Sequence, residues 1–289
     1  MTWIQKMCSS AISCGRVPEH VAFIMDGNRR YAKKHKIPSS EGHAKGFDML
    51  VKLMRWCSEL GIREITAYAF SIANFKRSTD EVNDLMELCK QKFEQLLKDK
   101  EKLKADDVQY RILGRIELIP RDLRNVMAEV VLATKENGGL TVNIAFAYAA
   151  RDDILQSVRQ AVDGVVDGRV APSHVTHELL SKALYTNESS IPDLVIRTSG
   201  EFRYSDFLLW QVSCSCLYIT DALWPDLTLW NLIAALLHYQ RHYQTLKDVR
   251  QLETQRIVKI ANAELEDLID RFGKSAVKKH NDWLFGQGN

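Results

Sequence analysis

Asp26-Gly27-Asn28-Arg29-Arg30 puts one carboxylate, one flexible backbone position, one amide and two guanidinium groups side by side. They follow an apolar run, His20-Val21-Ala22-Phe23-Ile24-Met25, that reads as a short buried strand. In open parallel α/β sheets, ligands bind in the crevice beyond the carboxyl ends of the strands. A single Asp beside paired Arg at such a place suits a multiply charged phosphate held together with magnesium. The same letters also fit an ordinary strand-to-helix turn in which Asp26 caps the helix.

More guanidinium groups fall at equivalent places. Ser71-Ile72-Ala73-Asn74-Phe75-Lys76-Arg77 follows an apolar run at 64–70, and Thr198-Ser199-Gly200-Glu201-Phe202-Arg203-Tyr204-Ser205 follows another at 193–197 that ends on Arg197. Arg29, Arg30, Arg77, Arg197 and Arg203 thus lie at or just past strand carboxyl ends. Five cations on one edge repel one another unless an anion or carboxylates neutralise them, and bidentate guanidinium groups match phosphate oxygens. Neither a Gly-x-x-x-x-Gly-Lys-Ser/Thr loop nor a Gly-x-Gly-x-x-Gly fingerprint occurs. The Asp-Asp-x-x-Asp cluster that all-helical prenyl synthases use for magnesium is also missing. The pattern points to a diphosphate bound without a nucleotide-fold signature.

The elements that must position these residues alternate. Short Val/Ile/Ala/Phe-rich strands are expected at 20–25, 64–70, 108–113, 141–147, 193–197 and 216–219. Between them lie helical patterns at 43–60, 79–103, 121–136, 151–163 and 226–245; the second opens with Ser78-x-x-Glu81, a capping box. A charged helix continues over 246–272 with Val249, Leu252, Ile257, Ile260, Leu265, Leu268 and Phe272 on its apolar side, and Gly273 is expected to break it. Strands alternating with helices imply an α/β fold, a mainly parallel central sheet flanked by helices. The economical division is an N-terminal amphipathic segment over 1–17, one catalytic-type domain over 18–245 and a helical C-terminal tail over 246–289.

Composition limits the partners. With 289 residues, 46% hydrophobic, and formal net charge +2, the chain lacks the strongly basic balance of a general nucleic-acid binder, so any anion site is local. Its six cysteines form no Cys-x-x-Cys pair and read as reduced. Cys214-Ser-Cys216 has no second Cys/His pair at zinc spacing beside it in the sequence. No apolar run reaches the ~18 residues that span a bilayer. Trp3, Ile4, Met7, Cys8, Ala11 and Ile12 make a short amphipathic helix, expected to pack on the fold rather than lie on a membrane surface.

Taken in order, five motifs resemble one family. His20 to Arg30, Gly42-His43-x-x-Gly46, Tyr68-Ala69-Phe70-Ser71 through Asn74 and Arg77, Asp193 to Glu201 with Arg203 and Ser205, and Trp224-Pro225-Asp226 are similar to the cis-prenyltransferases, the family of undecaprenyl and dehydrodolichyl diphosphate synthases. The resemblance covers about residues 18–245. It implies a butterfly-like parallel-sheet fold with an apolar tunnel. It also implies magnesium-dependent condensation of isopentenyl diphosphate onto an allylic diphosphate such as farnesyl diphosphate, giving a long polyprenyl diphosphate for dolichol synthesis and protein glycosylation. The family pattern lays the allylic diphosphate over Gly27, Asn28, Arg29, Arg30, His43 and Arg77, and isopentenyl diphosphate against Arg197, Arg203 and Ser205. Asp26 is the implied magnesium ligand and, with Asn74, the implied catalytic pair. The stripes on helices 43–60 and 79–103 are the implied tunnel walls.

The chain departs from that pattern in ways that bear on assembly. Many homodimeric bacterial members carry Glu where Cys216 stands, and Arg shortly before Gly42-His43, where Ser39 and Ser40 stand here. Self-sufficient members end with an Arg-x-Gly motif donated across the dimer. By counting, Thr245-Leu246-Lys247-Asp248 occupies that region here; Arg271-Phe272-Gly273 fits the letters but lies about 25 residues further on and reads as coincidence. This resembles the catalytic subunit of eukaryotic two-subunit synthases. Its implied partner is a non-catalytic, membrane-anchored, Nogo-B-receptor-like subunit, with peripheral association at the cytosolic face of the endoplasmic reticulum. The alternatives are a self-sufficient homodimer and a non-catalytic stabilising subunit.

Overall fold

The computed structural model describes residues 3–98, 100–256 and 263–286. Its centre is a six-stranded sheet: β1 (His20–Ile24), β2 (Glu64–Ser71), β3 (Val108–Leu113), β4 (Leu140–Tyr148), β5 (Leu194–Arg197) and β6 (Cys216–Ile219). All pairings are parallel, in the order β3-β4-β2-β1-β5-β6. Each expected strand is present at its expected place. The helices are α1 (Trp3–Ser13), α2 (Asn28–His35), α3 (Ser39–Glu59), α4 (Thr79–Lys98), α5 (Lys100–Ala105), α6 (Arg121–Thr134), α7 (Ala150–Val166), α8 (His177–Lys182), α9 (Leu229–Arg256) and α10 (Ala263–Leu284). No described helix is long and apolar enough to cross a membrane.

The order of strands fixes where a ligand can sit. The chain moves outward from β1 on one side through β2, then returns across the sheet to place β5 on the other side. That reversal opens a crevice past the carboxyl ends of β1, β2 and β5. β1 is buried along its whole length, so its sequence is continuously apolar after His20.

Two local expectations change. Gly273 does not break the tail helix, because α10 runs through it. A side chain there would meet the Lys182 Cβ at 3.1 Å, so the glycine lets α10 lie close to α8. The Ser78–Glu81 capping box is only half made. Ser78 Oγ accepts from the Glu81 amide at 3.4 Å, but the Glu81 carboxylate turns instead to Arg77. α2 follows only from the strand-to-helix reading of the Asp26 turn, since Asn-Arg-Arg-Tyr-Ala-Lys-Lys-His has no apolar stripe and buries only Ala32. Ile257 and Ile260 of the tail stripe lie outside the described residues. α1 packs against α9, with Ile12 buried and its carbonyl accepting from Gln240 Nε2 at 3.0 Å, while Trp3 and Met7 remain exposed.

The Gly42/Gly46 spacing has a packing cause. A Cβ on Gly42 would meet the Asn28 carbonyl at 2.7 Å, and one on Gly46 would meet Asn28 Oδ1 at 2.3 Å and Trp224 at 3.0 Å. Both absences let the start of α2 press onto α3, and Trp224 Nε1 donates to the Gly46 carbonyl at 2.7 Å. Gly46→Ala is therefore expected to destabilise the protein by about 2 kcal/mol or more in chemical denaturation. Gly138→Ala, where a Cβ meets nothing within 4 Å, serves as the near-neutral control.

Candidate active site

Asp26 and Arg197 end neighbouring parallel strands and meet there. Arg197 Nη2 donates to Asp26 Oδ2 at 2.9 Å, and the Arg197 side chain is only 2% exposed. Arg197 Nη1 donates to Ser205 Oγ at 2.8 Å and to the Arg203 carbonyl. Ser205 and Asp206 have φ of +52° and +60°, a left-handed pair in non-glycine residues that folds this loop back over Arg197. Burial acts to raise the Asp26 pKa, but Arg197, then Arg30 and Ser199, outweigh it and hold the carboxyl below its usual range. Asp26 is thus ionised. Its other oxygen, Oδ1, is only 3.5 Å from Arg30 and faces a looser contact.

Asp26 does not cap α2. The cap position is Gly27, at φ +115°, where a Cβ would also meet the Leu223 side chain at 3.0 Å. With the cap residue offering no side-chain bond, the first amides of α2 point to the crevice as an anion-favouring helix start. The Asp26 main chain is fixed by two bonds: Thr198 Oγ1 donates to its carbonyl at 2.6 Å and the Trp224 amide does so at 3.0 Å.

The remaining arginines form the walls. Arg30 donates to the Ser199 carbonyl at 3.0 Å and to Ser199 Oγ, and lies 3.6 Å from Glu201, which also pairs with Arg203. Across the crevice, Arg77 pairs with Glu81 at 2.9 Å and Arg29 approaches the same oxygen at 3.9 Å. Asn74 stands in a short 3-10 turn. Its Oδ1 accepts from the Ser71 amide at 2.9 Å, completing a capping box that points the residue into the cleft.

His43, near the start of α3, is half-buried beside these cations. Desolvation first, then Arg77 and Arg29, bring its pKa down to about 4, so the imidazole is neutral near pH 7. Its Nε2 has no partner, and neither do Asn28 Oδ1 and Arg197 Nε. Buried polar atoms are nearly always paired, so three orphans around one crevice mark places for ligand atoms.

Together these residues enclose a cleft of about 900 Å³ lined by seven Arg and Lys side chains against three carboxylates, Asp26, Glu201 and Asp206. A second cavity of about 100 Å³ adjoins it, sharing Asn28, His43, Tyr68 and Phe70 with the cleft. Its inner wall is apolar, with Phe47 and Leu50 from α3, Leu88 and Phe93 from α4, and Phe146 from β4. The site therefore accepts a polyanionic head and an attached hydrocarbon. Magnesium fits the donor set as well, since it favours one or two carboxylates plus phosphate oxygens over an all-protein cage, and Asp26 is an ionised carboxylate on the cleft wall.

All residues singled out from the sequence line this cleft: Asp26, Gly27, Asn28, Arg29, Arg30, His43, Asn74, Arg77, Arg197, Arg203 and Ser205. Sequence reasoning missed Glu81, Ser199 and Asp206, which orient the arginines and the loop. Polar residues just after a strand were the available signal for the last two; Glu81 was hidden by its half-made capping role. Cys216 opens β6 at the amino-terminal edge of the sheet, paired with Leu194, away from this chain's own cleft. Arg271 pairs with Asp267 on the outside of α10 at 3.0 Å, while Phe272 is buried among Val170 and Leu179.

Comparison with known proteins agrees with this geometry. The family described as putative undecaprenyl diphosphate synthase matches residues 24–246. The chain is 48% identical over 260 residues to the human dehydrodolichyl diphosphate synthase complex subunit DHDDS, covering 87% of this chain and 78% of that protein. It is 41% identical over 230 residues to a tritrans,polycis-undecaprenyl-diphosphate synthase (geranylgeranyl-diphosphate specific) of Pyrococcus abyssi, covering 80% and 87% of the two chains. Among solved structures, lavandulyl diphosphate synthase from Lavandula x intermedia in complex with dimethylallyl diphosphate superposes with a TM-score of 0.70 at 31% identity, covering 77% of this chain and 95% of that one.

The depressed His43 pKa has a sign that can be measured. The folded state binds fewer protons than the unfolded state between about pH 4 and 6.5. This contribution is therefore full above pH 6.5 and is lost as pH falls toward 4, up to about 3 kcal/mol. Denaturation of wild type and His43→Gln across that range is expected to show a shallower acid loss in the variant.

Proposed function

The chain belongs to the cis-prenyltransferases of the undecaprenyl diphosphate synthase family, and from this we propose that it is the catalytic subunit of a dehydrodolichyl diphosphate synthase, extending farnesyl diphosphate with isopentenyl diphosphate units. The observation that carries the reading is the junction of an arginine-rich cleft with an apolar cavity through Asn28, His43, Tyr68 and Phe70. A prenyl diphosphate needs both halves, and a free phosphate or a nucleotide would leave the cavity unused.

Each residue has a role that follows from its position. Gly27, Asn28 and the α2 amides, with Arg29, Arg30 and Arg77, receive the allylic diphosphate, whose tail enters between α3 and α4. Arg197, Arg203 and Ser205 receive isopentenyl diphosphate on the other side of Asp26. In the reaction the allylic C–O bond breaks, the isopentenyl double bond attacks that carbon, and a proton leaves to restore an alkene. Negative charge grows on the departing diphosphate, and guanidinium groups already fixed by Ser199, Glu201 and Glu81 stabilise it without reorganising. Holding both substrates beside one another removes much of the entropic cost. Asn74 is oriented by its capping box to align substrate near the reacting carbons. A neutral His43 adds no further repulsion among the cations and offers Nε2 to a diphosphate oxygen when protonated there, or to water when not. Magnesium, held by Asp26 and substrate oxygens, would neutralise the leaving diphosphate.

A heteromeric assembly is part of the reading. Arg271-Phe272-Gly273 is used in helix packing, so nothing among the described residues supplies an Arg-x-Gly motif to the cleft. Two human and mouse relatives are named as complex subunits. α7 also exposes Leu155, Val158, Val162 and Val166 as one apolar stripe, the kind of surface a subunit covers. The partner is a Nogo-B-receptor-like, membrane-anchored subunit, which places this chain peripherally at the cytosolic face of the endoplasmic reticulum.

The test is incorporation of labelled isopentenyl diphosphate with farnesyl diphosphate and magnesium, for the chain alone and with such a partner. Activity is expected to rise strongly with the partner and to fall at least about a hundredfold in Asp26→Ala. Full activity alone would overturn the heteromer, and partner-supported activity indifferent to Asp26→Ala would overturn the catalytic assignment. Phe93→Ala, which enlarges the apolar cavity, is expected to shift products to longer chains; an unchanged distribution would take the growing chain out of that cavity.

A further inference from the structure

On the far side of the sheet from the cleft, the fold assembles three soft donors that the sequence keeps apart. Cys216 opens β6, and His238 and His242 stand one turn apart on α9. One ligand atom from each lies within 4.8 Å of the others. We propose that Cys216, His238 and His242 form a divalent transition-metal site of the zinc class that clips α9 to the edge strand β6.

The donor set is selective. One sulfur and two imidazole nitrogens suit zinc and its neighbours, whereas magnesium prefers oxygen. The His-x-x-x-His spacing on a helix presents both rings on one face, and the two ring centroids are 4.5 Å apart. The ligand atoms stand further apart than they would around a bound ion, and the exposed His242 is the member with room to move.

His242 is also prepared for metal. His242 Nδ1 lies 2.9 Å from the His238 carbonyl; a carbonyl only accepts, so Nδ1 carries the proton and Nε2 keeps its lone pair. Backbone carbonyls on the second nitrogen are the usual outer support of metal-bound histidine. Burial keeps the Cys216 thiol protonated in the absence of metal. Binding converts Cys–SH and the ion into a Cys–S–metal bond and one free proton, so each ion bound releases one proton. With three protein donors, the fourth position belongs to water on the open side of His242.

The clip has a mechanical place in the fold. α9 is held to the sheet by its buried Leu232, Leu236 and Tyr239 and by Arg250, which reaches Asp193 at 2.6 Å and the Pro192 carbonyl at 3.0 Å, just ahead of β5. A metal at Cys216 adds a tie to β6, the outer neighbour of the strand that carries Arg197.

Cobalt(II) titration of the full-length chain reads this site directly, because a thiolate-to-cobalt charge-transfer band appears only when a cysteine ligates. The expected result is one band, saturating at one ion per chain and displaced by zinc but not by excess magnesium. It should be absent in Cys216→Ser, unchanged in Cys214→Ser and Asp26→Ala, and at least about tenfold weaker in His238→Ala and in His242→Ala. His242 is exposed, so its variant folds and keeps the test decisive should Cys216→Ser fail to fold. Calorimetry in two buffers is expected to show one proton released per zinc. At a hundredfold excess over Kd, zinc should raise the thermal midpoint of wild type by about 5 °C or more and leave that of His242→Ala nearly unmoved. No thiolate band, or a band of equal affinity in both histidine variants or one lost in Cys214→Ser, would overturn the proposal.

Discussion

The ion pair between Asp26 and Arg197 is the contact on which the cleft depends. Both side chains sit at the ends of adjacent parallel strands, and Arg197 is almost wholly withdrawn from water. A buried guanidinium without a partner is costly, and removing one member of such a pair typically destabilises by about 3–5 kcal/mol. Arg197 Nη1 donates to the Ser205 hydroxyl and the Arg203 carbonyl, so the same group that neutralises Asp26 also folds the β5–β6 loop over the crevice. That loop takes left-handed backbone at Ser199, Ser205, Asp206 and Leu208, which non-glycine residues keep only where the surrounding contacts overdetermine them. One charge pair thereby sets the ionisation of the carboxylate, the place of a second arginine and the shape of the wall.

From this pair outward the site divides into two media. The polar half gathers guanidinium groups that are each braced by a carboxylate or a carbonyl: Arg30 by Ser199 and Glu201, Arg77 by Glu81. The apolar half lies between α3 and α4 and shares only a few residues with the first. His43 stands at the seam, and its environment decides its state. Desolvation and neighbouring cations keep the ring neutral, which suits a residue that must border hydrocarbon on one side and diphosphate on the other. The glycines of α3 are what let this seam close, because the start of α2 has to press against that helix for the Asn28 side chain to reach it.

Much of this was legible in the sequence. Parallel strands buried on both faces have to be continuously apolar, so β1, β4 and β5 announced themselves, and the polar residues that end such runs have to lie at one edge of the sheet. The arginines could therefore be assigned to a common crevice before any coordinates. What stayed hidden depended on side chains meeting across long separations. Glu81 obeys a capping pattern by letter but spends its carboxylate on two arginines. Gly273 looks like a helix stop, yet it serves close packing against Lys182. α2 buries a single alanine and so leaves no periodicity to read. Cys216 and His238 are both ordinary in their own segments, and only the docking of α9 on β6 makes them neighbours.

The excess of cations in the cleft has a thermodynamic consequence for the whole fold. Seven Arg and Lys side chains against three carboxylates repel one another in the folded chain more than in the unfolded one, where they are far apart and hydrated. The protein tolerates this because the braced guanidinium groups are already where a diphosphate will draw on them, so the electrostatic cost of assembling the site is met during folding rather than at the transition state. A ligand with two or more negative charges relieves the repulsion and is thereby linked to stability, since whatever binds only the folded state stabilises it. Elsewhere in the fold Arg124 Nε, Asn143 Oδ1, His174 Nδ1 and Gln211 Oε1 also lack partners, but the orphaned Arg197 Nε, His43 Nε2 and Asn28 Oδ1 all belong to residues that line the crevice. They are the part of the fold's hydrogen bonding that the chain leaves to its substrate.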